Sequence, residues 1–75
     1  MPLVQITGVG DYLSLAQKQE IIRKVTDAVA SVEGEGLRKV TWVTMQDVQP
    51  GARGVGGNPV TADDLRALAT ADVRA

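Results

Sequence analysis

Between residues 15 and 32, Ile21, Ile22, Val25, Ala28, Val29 and Val32 recur at helical spacing. Lys18, Glu20, Arg23, Lys24 and Asp27 fall mainly on the other side, as a solvated face. The spacing predicts an amphipathic helix over 15–32. Ser14-Leu15-Ala16-Gln17 supplies its start, since Ser14 can accept from the first turn while Gln17 reaches back. Gly34 and Gly36 are suited to closing it. A single long helix with one apolar face must bury that face on something, and the flanking sequence says what.

On either side lie runs with strand character. In residues 2–7, Pro2, Val4 and Ile6 point one way and Leu3, Gln5 and Thr7 the other. Gly8-Val9-Gly10-Asp11 is expected to end this strand. Val40 to Val48 is rich in β-branched residues with Trp42 among them, and reads as a second strand. Strand, helix and strand make a β-α-β unit of α+β class, with parallel strands and a right-handed crossover. Two strands and a helix leave a sheet edge and a sheet face open. With 75 residues and neither cysteine nor histidine, disulfides and the usual zinc sets are unavailable. Self-association is the remaining way to stabilise so small a chain.

The C-terminal third begins with a glycine-rich stretch, Gln49 to Pro59. It reads either as a flexible loop or as a tight hairpin that packs on a neighbouring subunit. Thr61-Ala62-Asp63-Asp64 then has the form of a second N-cap with acids in the first turn. Leu65, Leu68 and Ala69 would give that short helix a narrow apolar stripe, and Ala71 to Ala75 are expected to fray. Residues 1–58 thus form the β-α-β body, and 59–75 a short helix and tail of the same single domain.

Several function classes are excluded at this level. A net charge of −1 and the lack of a basic run argue against nucleic acid. No stretch approaches the ~20 apolar residues of a membrane span, and no signal-like segment follows the start. The expectation is a soluble cytoplasmic protein. Gly8 and Gly10 lack the third glycine and the Lys-Ser/Thr of phosphate loops, so that reading fails. Proline at position two is the residue that can carry chemistry. Aminopeptidases remove an initiator methionine that precedes a small residue, which leaves Pro2 with a free secondary amine. An α-amino group titrates at about 7.7–8.0, and burial lowers that value, which suits a general base. Proline at position two is also common without any such role.

Taken together, Met1-Pro2, the first strand, Gln17-Lys18 opening a helix with Ile21-Ile22 and Val25-Thr26, Trp42-Val43 in a strand ending at Asp47-Val48, and Gly54-Val55-Gly56-Gly57 resemble the 4-oxalocrotonate tautomerase family. The resemblance runs from Pro2 to about Asn58. It implies a β-α-β subunit, dimers whose sheets join, and usually a hexamer built as a trimer of dimers. It also implies cofactor-free isomerase chemistry. The N-terminal proline takes a proton from an enol, or from the carbon next to a carbonyl, in a small 2-oxo or 2-hydroxy acid and returns it elsewhere. Cationic groups would bind the carboxylate and steady the dienolate.

The chain departs from the family pattern at the substrate-binding positions. The family arginine just before the helix is replaced by Leu13, and the arginine of the second strand aligns with Trp42, or with Thr41 if the insertion is placed differently. The aromatic ahead of the Gly-Val-Gly-Gly stretch is replaced by Arg53. Pro2 therefore carries over as the catalytic residue, and Arg53, Trp42 and Leu13 are the candidate substrate-binding positions. Arg38 and Lys39, just before the second strand, are weaker cation candidates. Arg53 also fits a solvent-exposed loop arginine, and Trp42 a core or interface residue. Two alternatives stand beside the tautomerase. One is a hydratase or dehalogenase in which protonated Pro2 is the acid and Asp11 positions water. The other is a non-catalytic oligomeric protein whose amine is blocked by a retained Met1.

Overall fold

In a computed structural model of the protein, which describes residues 2–71, the central helix forms as its spacing predicts. Helix α1 runs Leu15–Glu33. The Gln17 amide donates to the Ser14 hydroxyl at 3.1 Å, and the Ser14 amide to the Gln17 side-chain oxygen at 2.9 Å. Two of the donors that a helix start leaves unpaired are thereby satisfied. At the far end Gly34 has φ +125°, and its amide donates to the Ala30 carbonyl. Only glycine enters that region freely. Ile21, Ile22, Val25 and Val29 are half-buried as expected, whereas Val32 is 86% exposed. Ala28 is exposed as well, and the stripe closes on Ala30, which is buried, so the apolar face ends two positions before the predicted Val32.

Strand β1 is Leu3–Val9 and strand β2 is Trp42–Val48; the two are neighbours in one sheet. At one end the Trp42 amide donates to the Pro2 carbonyl at 3.0 Å, and at the other the Gly10 amide donates to the Val48 carbonyl at 2.7 Å. The heads of the strands pair with each other, and so do the tails. The strands are therefore parallel, which a connection long enough to hold α1 permits. Along β1, Val4 and Ile6 are half-buried while Leu3, Gln5 and Thr7 are exposed, which is the alternation read from sequence.

Both strand boundaries differ from expectation. β1 continues through Gly8 and Val9, because the pairing at Gly10 keeps the chain extended, and it turns only at Asp11, φ +68°. β2 starts two residues late because Glu35–Val40 forms a 3-10 helix that includes Gly36. That turn is tied to α1: Arg38 Nε donates to Glu35 at 2.6 Å, and its Nη1 donates to Asp27 of α1. The Thr41 hydroxyl adds a bond to the Leu37 carbonyl at 2.8 Å. Val40 is thus held in the turn, and extension begins at Trp42.

The glycine-rich stretch is a hairpin. Strands β3 (Gly54–Val55) and β4 (Asn58–Pro59) pair antiparallel, with Gly54 opposite Pro59 and Val55 opposite Asn58. The two turn residues, Gly56 and Gly57, have φ +58° and +85°, the positive values that a two-residue hairpin turn requires. Helix α2 follows at Ala62–Thr70, with Thr61 and Asp64 forming a second reciprocal cap. Ala62 is its buried residue and Leu65 is half-buried, but Leu68 is 67% exposed, so the expected stripe is only partly covered. Of the tail expected to fray, Ala71 lies just past α2, and residues 72–75 fall outside the described residues, as does Met1.

The chain divides into two compact units. One comprises the chain up to Thr7 with Leu13–Gln46, and the other Gly8–Tyr12 with Asp47 onward. Among the described residues the buried hydrophobic side chains are Val9, Ala30 and Ala62, and no large side chain is fully buried.

Candidate active site

Pro2 stands one residue ahead of β1 and is half-buried. Lacking an N–H in the chain interior, proline is tolerated where a strand begins. Its carbonyl still takes part in pairing through the Trp42 amide. That bond fixes the Pro2 backbone against the head of β2. It also brings two of the sequence-derived positions together, Pro2 and Trp42. The Trp42 side chain is 60% exposed, so it is not a core residue of the single chain. Leu13 is half-buried, immediately before the Ser14 cap. An isobutyl group offers a carboxylate neither charge nor hydrogen bond.

The two weaker cation candidates lie in the 3-10 turn. Arg38 is fully engaged in structure: its guanidinium joins Glu35 and Asp27. Those hydrogen bonds, Glu35's first and then Asp27's, push its pKa further up from the ordinary arginine range. Its charge is compensated twice over. Lys39 is exposed. A shallow cleft of about 290 Å³ opens beside this turn, lined by Ile22, Arg23, Thr26, Asp27 and Arg38. Thr26 does not offer its proton there, because its hydroxyl donates to the Ile22 carbonyl at 2.7 Å. Neither Pro2 nor Trp42 lines this cleft.

In the second unit, Arg53 is exposed at the base of the hairpin. The Val60 amide donates to its carbonyl at 2.7 Å, and the Gly51 amide donates to the Val60 carbonyl at 3.0 Å. The backbone that carries Arg53 is therefore held between two hydrogen bonds across the neck of the hairpin. Asp11 is exposed, with its backbone in the left-handed region. Its carbonyl accepts from Arg66 Nη2 of α2, while Arg66 Nη1 donates to Asp63 at 2.8 Å. Sequence reading did not single out Arg66. The i, i+3 pair with Asp63 is visible in the sequence, but a partner 55 residues away is not.

The family model described as "Tautomerase enzyme" matches residues 2–63, most of the chain. Among solved structures, an apo unfused 4-OT is 25% identical with a TM-score of 0.70; the alignment covers 84% of this chain and 97% of the other. DmpI from Helicobacter pylori is 26% identical with a TM-score of 0.69, covering 79% of this chain and 95% of its own. TomN, a 4-oxalocrotonate tautomerase homologue in the tomaymycin biosynthetic pathway, is similar in fold at 17% identity, with a TM-score of 0.70 and coverage of 92% and 97%. No curated protein matches. The match begins at the proline, contains the paired strand heads and α1, and ends in the first turn of α2. This chain belongs to the tautomerase enzyme family, among the 4-oxalocrotonate tautomerases.

Proposed function

We propose that the protein is a cofactor-free tautomerase acting on a small 2-oxo or enol acid, with the Pro2 amine as general base. After removal of Met1, the secondary amine takes the enol proton and becomes an ammonium. The electron pair left on oxygen re-forms the carbonyl, and the same ammonium returns the proton to carbon. Nothing is oxidised or reduced, and the product is an isomer. The observation that carries this reading is Pro2 itself, half-buried at the head of β1 in a chain whose family match starts at that residue. A free α-amino group titrates near neutrality, which suits a general base at the working pH. Arg53 supplies the positive charge for the substrate carboxylate or the developing oxyanion, in place of the arginines whose positions Leu13 and Trp42 occupy. The working form is a homo-oligomer, because so few apolar side chains among the described residues are buried in one chain.

The test is ketonisation of a 2-hydroxydienoate by protein whose intact mass confirms loss of Met1. Turnover that Pro2→Ala removes supports the reading, and turnover that it leaves unchanged overturns it. A second reading, a non-catalytic oligomer, is favoured by one observation. Arg38 is tied to Glu35 and Asp27, so that guanidinium is already committed. Retention of Met1 in the natural protein would select this second reading.

A further inference from the structure

The family match ends at Asp63, so most of α2 lies beyond it. That helix contacts the loop that follows β1, through Arg66 and Asp11. Three observations meet there, all within the second compact unit. Asp11 holds a positive φ of 68°, a conformation that non-glycine residues adopt only at some cost. Its carbonyl accepts a charged hydrogen bond from Arg66, whose other nitrogen is oriented by Asp63 one helical turn earlier. On the other flank Gly10 is buried against the end of β2. Its amide bonds the Val48 carbonyl, and a Cβ at that position would stand 3.3 Å from both that oxygen and the Pro50 ring. The loop is thus held from two sides, by β2 and by α2.

We infer that Arg66 is a positioning residue: the guanidinium of α2 tethers the Asp11 carbonyl and so sets the backbone from Gly10 to Tyr12, the residues that lead directly into Leu13. Its bearing on substrate rests on the tautomerase reading; the tether itself does not. Leu13 is uncharged and half-buried, and a side chain without charge contributes only through shape. The course of the backbone that delivers it therefore matters more here than where a long cation can reach for its ligand.

The experiment compares wild type, Arg66→Ala and Arg66→Lys by amide hydrogen exchange, with thermal unfolding followed in parallel. An exposed charged contact is worth little, so roughly a two- to fivefold effect is expected. Arg66→Ala should speed exchange at Gly10 by that factor while the amides of α1 keep their wild-type rates. Arg66→Lys, which still presents a cation to the carbonyl, should recover part of the protection. Unchanged exchange at Gly10, or equal acceleration at every amide, would overturn the tether. In the 2-hydroxydienoate assay the same Arg66→Ala protein should show KM raised about two- to fivefold with kcat nearly unchanged. A kcat loss at unchanged KM would overturn the positioning role. The two failures separate cleanly. If Pro2→Ala keeps full turnover while Gly10 still responds to Arg66→Ala, the tautomerase reading falls and the tether stands.

Discussion

Single residues divide here into those held for chemistry and those held for structure. Pro2 has its carbonyl fixed and its side chain half-buried at the head of a strand, and it is the residue proposed as the base. Removing one positioned general base costs about 10²–10⁴-fold, and Pro2→Ala should lower kcat/KM on an enol substrate within that range. The two arginines proposed as cations should behave differently. Arg53→Ala is expected to lower kcat/KM by up to about 10²-fold, in line with the loss of one oxyanion donor, with little change in thermal midpoint. Arg38→Ala should do the reverse. Its guanidinium links α1 to the 3-10 turn, so the midpoint should fall by a few degrees while KM stays at the wild-type value. Steady-state kinetics and thermal melts on the two variants check both statements. The sequence could place Arg38 just ahead of β2 but not tie it to Asp27, because the link depends on how tightly the chain turns between helix and strand.

At the scale of elements, what was legible followed from local rules. The capping box needs only residues three apart and formed where Ser14-Gln17 predicted it; the N-cap read at Thr61 also formed, and Asp64 completes a second box there. Replacing Ser14 by Ala should cost about 1 kcal/mol, and Thr61 by Ala a similar amount, measured by urea unfolding. The hairpin turn is stricter. Gly57 sits at φ +85° with nothing within 4 Å of an added Cβ, so an alanine there meets no clash and only backbone strain. Gly57→Ala should destabilise by about 1 kcal/mol. Boundaries were harder to read. Val40 has strand propensity, yet the ion pairs of Arg38 hold it in a turn, and Gly8 has the look of a breaker, yet the bond from Gly10 to Val48 keeps it in the sheet. In both places a contact distant in sequence overrides a local preference. The Glu20–Lys24 pair on α1 gives a pH effect with a defined sign. The hydrogen bond from Lys24, and then its charge, lower the Glu20 pKa from 4.5. That contribution is present above the unfolded carboxylate range and fades as pH falls through the lowered value. Its size is small because both groups are exposed.

For the whole molecule, the burial pattern leaves several large apolar side chains uncovered. Leu3 is 58% and Trp42 60% exposed at the heads of β1 and β2, and Val55 and Leu68 are exposed in the hairpin and α2. A chain of 75 residues with so little of its apolar surface covered has a small margin of stability alone. Unfolding should therefore depend on protein concentration, the midpoint rising as the chain is concentrated, and sedimentation should show a closed homo-oligomer. A midpoint that does not move with concentration would count against assembly. The β-α-β order was readable from one helix and two strands. The C-terminal tether was not, because Arg66 and Asp11 meet only once the chain has folded back on itself.

The most direct test of the central claim is the kcat/KM for ketonisation of a 2-hydroxydienoate, measured on wild-type protein shown by intact mass to begin at Pro2 and on its Pro2→Ala counterpart. The account predicts measurable turnover in the first and a loss of at least about 10²-fold in the second. Equal turnover in both would mean that the amine of Pro2 is not the base.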